Sequence, residues 1–392
     1  MKITKGTPIG LLNFLYLVKA GLAGGQTAIG GTEVTDILNL QGTSGNGTST
    51  SPAIKLLVGN NGATTALTVL NNGNVGIGTT TPTAKLDIEA GNINIDTTTF
   101  ANQNGIILKD GTRFIHNFNY GNNLTVTTAG FNTFAGLNSG NFTMGATATQ
   151  TWGGSYNTGF GQSTLSGITT GSQNTAVGAQ SLLSNTIGDH NISVGMSSLF
   201  YNTTGTGNVA VGSSALVLNN GNYNAATGYA SLYSNTTGYS NIATGYASLY
   251  GNTTGYYNIA IGYEAGRYIA NGITANQIGN SSLYIGYNTK ASADGNANET
   301  VIGYNNTGLG SNTVVLGNSS VVTTALQGNV GIGTTAPTEL LDVNSDAIRI
   351  RTAQTPASAT AAGTQGMICW DANYIYVCTA TNTWKRTAIA TW

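Results

Sequence analysis

A seventeen-residue unit returns through the middle of the chain, and no other feature limits the possible folds as strongly. The pattern reads Asn174-Thr-Ala-Val-Gly178, Asn191-Ile-Ser-Val-Gly195, Asn208-Val-Ala-Val-Gly212, Asn224-Ala-Ala-Thr-Gly228, Asn241-Ile-Ala-Thr-Gly245 and Asn258-Ile-Ala-Ile-Gly262, with glycines spaced 17, 17, 16, 17 and 17. Gly161 precedes the first of these by one full period, and Gly145 stands nearly one period earlier again. So short a unit cannot close a core by itself. Each coil must stack on its neighbours with strands ~4.8 Å apart, which predicts an all-β parallel β-solenoid.

Stacking turns columns of the sequence into ladders in space. Each unit has a second element around Leu182, Leu199, Leu216, Leu232 or Leu249, followed by a turn such as Asn235-Thr-Thr-Gly238. This predicts two short strands and two turns per coil. Bulky aliphatics are expected inside, in the columns Ile192, Val209, Ile242, Ile259 and Val177, Val194, Val211, Ile261, which share one face because they lie two positions apart. Asn174, Asn191, Asn208, Asn241 and Asn258 form a third column, in which side-chain amides can hydrogen-bond along the axis. Glycine after each strand permits the corner. Beyond Gly262 the period drifts through Ser282-Leu-Tyr-Ile-Gly286, Glu299-Thr-Val-Ile-Gly303 and Thr313-Val-Val-Leu-Gly317, spaced 17 and then 14, so the solenoid is expected over about 131–322.

Composition removes several alternatives. Charged residues make up 7% of the 392, against a usual ~25%, so the surface is wetted by amides and hydroxyls. With 40% apolar residues the chain lacks the signature of disorder, and 56 Gly together with 47 Asn argue against helix bundles. Thirteen basic and 14 acidic residues, thinly spread, leave no cationic stripe for nucleic acid. The most apolar stretch, Ile9 to Val18, is about half the length of the ~20 that span a bilayer, so no membrane insertion is expected. Thr7-Pro8 and Gly21 bracket a short helix from Pro8 to Ala20. Lys2 and Lys5 ahead of the apolar run give a cleaved leader as the alternative, against which Lys19 stands directly after that run.

Groups capable of chemistry are sparse. Between Thr151 and Gly286 the carboxylates are Asp189 and Glu264, where glycan cleavage would need a closely set pair. Glu264 stands three positions before Arg267, as a local ion pair would. His116 and His190 are far apart in the sequence and lack a triad context. Gly76-Ile-Gly78 and Gly331-Ile-Gly333 run into Thr-Thr-x-Pro, not into a helix, so they are not phosphate loops. Cys369 and Cys378 flank a turn-like Asp371-Ala372-Asn373, as buried thiols or as a cross-strand pair, and are too few for a metal site. The Asn-Thr-Thr triplets at Asn202, Asn235 and Asn252 match glycosylation sequons but are also ordinary turn chemistry. No enzyme, cofactor or metal is expected on these grounds.

Tyrosine is the enrichment that looks functional, numbering 19 in the chain. Tyr229, Tyr246 and Tyr263 recur every 17, as do Tyr233 and Tyr250, and Tyr239 and Tyr256. Such stripes either stack on sugars or pack on each other. After Thr364 a hairpin pattern, Met367 to Trp370 and Tyr374 to Cys378, leads to Thr383-Trp-Lys-Arg386, and three of the four Trp lie in this part. The candidate receptor contacts are therefore Trp384, Lys385 and Arg386 at this tip, and Tyr229, Tyr246 and Tyr263 along the side.

The units Asn298-Glu-Thr-Val-Ile-Gly303 and Gly310-Ser-Asn-Thr-Val-Val-Leu-Gly317 resemble the head repeats of trimeric autotransporter adhesins. That resemblance implies a left-handed β-roll in an elongated homotrimer. Asn74-Val-Gly-Ile-Gly-Thr-Thr-Thr-Pro82-Thr-Ala-Lys-Leu-Asp87-Ile88 recurs as Asn329-Val-Gly-Ile-Gly-Thr-Thr-Ala-Pro337-Thr-Glu-Leu-Leu-Asp342-Val343. With Arg113-Phe-Ile-His116-Asn and the closing Gly366-Met-Ile-Cys-Trp-Asp-Ala-Asn-Tyr-Ile-Tyr-Val-Cys378, these motifs are similar to fibre proteins of bacteriophage virions. The resemblance implies a virion fibre, tail or head, that attaches to a host-surface glycan or protein, or alternatively a bacterial trimeric surface adhesin. The organisation expected from it is 1–25 for attachment to tail or capsid proteins or for trimerisation, 26–130 as a β-rich shaft, 131–322 as the roll, 323–363 as a linker carrying the second motif, and 364–392 as a hairpin tip.

Overall fold

A computed structural model describes residues 50–390 apart from 51, 59–63, 90–91, 96–97, 100, 102–104 and 345–351. The expected helix from Pro8 to Ala20, and Trp392, lie outside the described residues. Among the described residues every regular element is a strand, and the chain divides into two units, 1–227 and 228–392.

In the first unit, β1 (Pro52–Val58) and β2 (Thr64–Leu70) form an antiparallel hairpin. β3 (Val75–Ile77) pairs with β2, and β4 (Leu86–Ile88) lies parallel to β3. Next, β5 (Ile107–Lys109) and β6 (Thr112–His116) lead antiparallel into β7 (Thr133–Ala135). From there the coils stack in parallel: β8 (Thr158–Phe160), β9 (Thr175–Val177), β10 (Ile192–Val194), β11 (Val209–Val211) and β12 (Ala225–Thr227). Thr175, Ile192, Val209 and Ala225 stand one above another, as the period requires.

The direction of these side chains reverses the expectation from sequence. In each three-residue strand the middle residue points inward, so Ala176, Ser193, Ala210 and Ala226 are fully buried. Their bulky neighbours Val177, Ile192, Val194 and Val211 are between 37% and 45% exposed. A coil this small is flat, and its interior holds one row from each side. Ala and Ser line the strand side, and Leu165, Leu182, Leu199 and Leu216 close the other. Branched side chains on the strand would hold the two walls apart. Apolar residues are not obliged to face inward, and here size decides which ones do.

The leucine segment also differs from the second strand expected. It is a run of turns, with Leu182, Leu199 and Leu216 at φ of 49°, 49° and 53° and Gln180, Ser197 and Ser214 likewise in the left-handed region. Its amides still bond from coil to coil, Leu182 N–H to Ser198 O at 3.0 Å and Leu199 N–H to Ala215 O at 2.9 Å. That pairing offsets the cost of left-handed backbone in non-glycine residues.

Two asparagine ladders run through the interior. Asn174, Asn191 and Asn208 each donate Nδ2 to the Oδ1 of the Asn in the previous coil at 3.1 Å, and each also reaches a glycine carbonyl at 2.8–2.9 Å. The second ladder runs Asn185, Asn202, Asn219, at 2.9 and 3.0 Å. Asn202, Asn235 and Asn252 are buried in such rungs, so these triplets are turn chemistry and not exposed sequons. The corner glycines are required: a Cβ on Gly178 (φ 117°) would come within 2.7 Å of the Gly195 carbonyl.

Before the first parallel coil, His116 is buried against Phe134 and Phe142 at ring-centroid distances of 5.0 and 4.8 Å. Its Nε2–H donates to Ser139 O at 2.8 Å and its Nδ1 accepts from Phe118 N–H at 3.3 Å, which uses both ring nitrogens in the neutral form. Burial lowers the imidazole to about 4.

The second unit repeats the parallel arrangement in β13 (Ile242–Thr244), β14 (Ile259–Ile261), β15 (Leu283–Ile285), β16 (Glu299–Ile302) and β17 (Thr313–Leu316). Ala243, Ala260, Tyr284 and Val301 occupy the inward position, while Ile242, Ile259 and Ile261 face out. The interior widens at Tyr284, which reaches toward the fully buried Glu299, and this carboxylate accepts from Gly310 N–H at 2.9 Å and Ser292 N–H at 3.3 Å. β18 (Val330–Ile332) and β19 (Leu341–Val343) form a parallel pair. β20 (Ile368–Trp370), β21 (Tyr374–Ala380) and β22 (Thr383–Ala388) form the antiparallel tip.

Candidate receptor-contact surfaces

Glycine corners place the tyrosine stripe. Tyr229, Tyr246 and Tyr263 each follow the glycine that ends a strand, so their rings project from successive coils on one line. They stack with centroids 5.4 and 4.9 Å apart, and the row continues through Tyr287 and Tyr304 at 5.1 Å each, with planes within 15° of parallel. Sequence reading missed the last two because the interval from Tyr263 to Tyr287 is longer than the period. The recurring Gly-Tyr dipeptides Gly286-Tyr287 and Gly303-Tyr304 carry the signal.

Stacking changes what this row can do. Inside the ladder each ring face is covered by the next ring, so a sugar cannot lie on it. Ring edges and phenol hydroxyls face solvent, spaced at the coil pitch. Desolvation by neighbouring groups, with Glu264 adding a like charge, pushes the Tyr263 phenol above its ordinary value. A parallel row, Tyr233 on Tyr250 at 5.1 Å, ends under the Arg267 guanidinium, 4.7 Å from the Tyr250 ring and ion-paired with Glu264. Tyr239 and Tyr256 form a third row at 5.0 Å.

At the tip the aromatic candidate is interior. Trp384 is 9% exposed and packs with Cys369, Tyr376 and Cys378, its Nε1–H donating to Ala361 O at 3.1 Å. Gly363 lies against the ring, where a Cβ would come within 2.6 Å of it. Trp384 therefore holds the tip together and offers no free face. Its neighbours Lys385 and Arg386 are exposed, the latter 4.1 Å over the Tyr374 ring. The structure does not join tip and stripe candidates into one described site, and each is taken by itself.

Asp371 organises the tip turn, accepting from Tyr376 OH at 2.6 Å, Asn373 N–H at 2.8 Å, Tyr374 N–H at 2.9 Å and Thr355 Oγ1 at 2.8 Å. These bonds, the Tyr376 phenol first, lower its carboxyl to about 2. Both cysteines are free thiols, and burial pushes Cys369 up. Asp189 accepts from Ser172 N–H and Oγ at 2.6 and 3.0 Å, and His190 is exposed. Among the described residues no group of three or more His, Cys, Asp or Glu is placed to hold a metal, and no helix is long and apolar enough to cross a membrane.

The fold is a repetitive all-β chain of stacked parallel coils, an architecture that fits a phage tail protein. No family model matches the chain, and no solved structure matches it. Within that class the chain is similar to the "Depolymerase, capsule K30/K69-specific" of Klebsiella phage K64-1, 41% identical over 56 residues. The match covers 14% of this chain and 7% of the relative, so the chain spans a small part of the curated protein it resembles. This finding corrects the expectation of a chain without enzymatic activity, because the relative found is an enzyme.

Proposed function

We propose that the chain is a phage tail-fibre component that attaches the virion to a host-surface polysaccharide and works as a homotrimer. The observation that carries the reading is the stretch shared with a phage capsule depolymerase. Two features of the molecule support it. In each unit the outward face of the parallel strands carries rows of Ile and Val, a patterned apolar surface that calls for a partner. A second and third copy present the same rows at the same pitch. The hydroxyl edges of Tyr229, Tyr246 and Tyr263, with Tyr287 and Tyr304, offer a line of hydrogen-bonding groups for sugar hydroxyls, and Lys385 and Arg386 offer cationic groups for acidic ones. Threefold repetition multiplies such weak contacts. Attachment to the particle is assigned to residues 1–25.

The test is retention of purified capsular polysaccharide on immobilised chain, with sedimentation equilibrium alongside. Retained polysaccharide and a threefold mass are the expected results. Polysaccharide that passes unretained over a well-folded trimer would sink the attachment reading. New reducing ends in the eluate would show that the chain cuts what it holds.

A further inference from the structure

One motif occurs twice, and its two copies differ at one edge. In both, the internal bonds agree: Asn74 Nδ2 donates to Pro82 O and Asn329 Nδ2 to Pro337 O, each at 3.2 Å. Thr83 N–H and Thr338 N–H donate to Asp87 and Asp342 Oδ2 at 2.9 and 3.0 Å. The parallel registers also agree, Gly76 opposite Asp87 and Gly331 opposite Asp342. In the first copy β2 fills the outer edge of β3, with Leu67 opposite Ile77, Thr68 opposite Gly76 and Val69 opposite Val75, and Gly76 is buried. In the second copy β18 has β19 as its strand neighbour among the described residues, and Gly331, the counterpart of the buried Gly76, is exposed. An open edge of this kind is a template for another strand.

The approach to the strand that would fill it recurs in the sequence, up to the leucine that pairs first. Thr64-Thr-Ala-Leu67 of β2 recurs as Thr323-Thr-Ala-Leu326 ahead of the second copy. What differs is the connection. Seven residues, 68–74, join Leu67 to Val75, whereas three, 327–329, join Leu326 to Val330, four fewer. The longer connection makes a closed turn, with Leu70 N–H to Asn74 O and Gly73 N–H to Leu70 O, both at 2.9 Å. The shorter one cannot bring Leu326 beside Ile332 while Val330 stays opposite Leu341, because the turn would have to consume Val330 itself. Residues 321–328 accordingly form no strand, and Val322 is 98% exposed with Val321 and Leu326 also in solvent.

We propose that this strand is exchanged between copies of the chain. Residues 326–328 of one copy, at the end of the Val321–Leu326 segment, add antiparallel to the β18 edge of a second, with Leu326 opposite Ile332, Gln327 opposite Gly331 and Gly328 opposite Val330, as Leu67, Thr68 and Val69 stand opposite Ile77, Gly76 and Val75. A hairpin connection too short to close invites such exchange. The contact is head-to-tail, so a ring of three copies closes it, each giving a strand to the next. This inference rests on the self-association proposed above.

The test uses two differently tagged full-length chains, one carrying Leu326→Cys and the other Ile332→Cys, co-expressed and mildly oxidised. Directly opposed residues in an antiparallel pair lie within the Cα range of a disulfide. A cross-linked pair bearing both tags is expected, absent from the parent chain, whose Cys369 and Cys378 are buried. Replacing Gln327 by Thr-Val-Leu-Asn-Asn restores the seven-residue connection and should reduce the cross-link at least tenfold; an unchanged yield would overturn the exchange. In one chain carrying both Leu326→Cys and Ile332→Cys, an internal disulfide would show the strand folding back on its own copy, and that too overturns it. Oligomers by sedimentation that give no cross-link sink the exchange alone, whereas a monomer sinks the self-association with it.

Discussion

The coils of the first unit and the C-terminal tip are both built from short strands, yet they hide opposite things. A coil buries Ala210, Ala226, Leu199, Leu216 and its asparagines and shows its Ile and Val. The tip buries Trp384, Tyr376 and two thiols and shows Lys385 and Arg386. In the coils each rung draws its hydrogen bonds from the rungs on either side, so no coil has a core of its own. The tip closes around one indole supplied and covered by its own residues. Damage should therefore spread between neighbouring coils and stay local in the tip.

The largest expected effect tests which face of a coil is inside. Ala210→Asp buries a carboxylate without a partner, at a cost of about 4 kcal/mol or more, and should open neighbouring coils to limited proteolysis. Val211→Asp, the next position along and outward, should leave the coils protected and lower the association mass. Reversed results would restore the inward columns that the sequence suggested.

Trp384→Ala should cost about 3 kcal/mol and raise hydrogen exchange within 352–390 while the coils keep their protection. Exchange rising across the coils as well would break the distinction between the two regions. Somewhat smaller is Asn208→Ala, which leaves Asn224 N–H without its acceptor and removes the rung to Asn191, about 2 kcal/mol. Its signature is spread, with protection falling in the coils of both Asn191 and Asn224. Loss confined to its own coil would count against the ladder.

Acidification is the mildest probe because it leaves the chain intact. The folded His116 is held near 4, below its ordinary 6.5, so the unfolded chain binds the proton more readily. Its contribution is full above pH 6.5 and is lost as pH falls from there through about 4. Asp371 is held near 2, below its ordinary 3.8, so its contribution is full above pH 3.8 and is lost as pH falls through about 2. The start of the ladder should thus loosen before the tip, read by exchange at residues around 116 and 371. Simultaneous loosening would mean that His116 is not buried neutral.

Periodicity alone determined the stacking. So short a repeat can bury itself only against its own copies, so the parallel coils, the Asn174 to Asn208 ladder and the corner glycines were legible in the sequence, as were the strands of the tip. The first three tyrosines of the stripe were legible for the same reason. Tertiary structure decided direction. Whether Val194 or Ser193 faces inward depends on the gap between the two walls of the coil, and left-handed turn residues such as Leu199 set that gap in a way no local pattern encodes. The faces of Tyr229 and Tyr246 are consumed by stacking, and the Trp384 indole is covered by Ala361 and Gly363, contacts between residues far apart in the sequence. A repeat specifies what recurs in space, but only the distance across the coil specifies what has room to turn in.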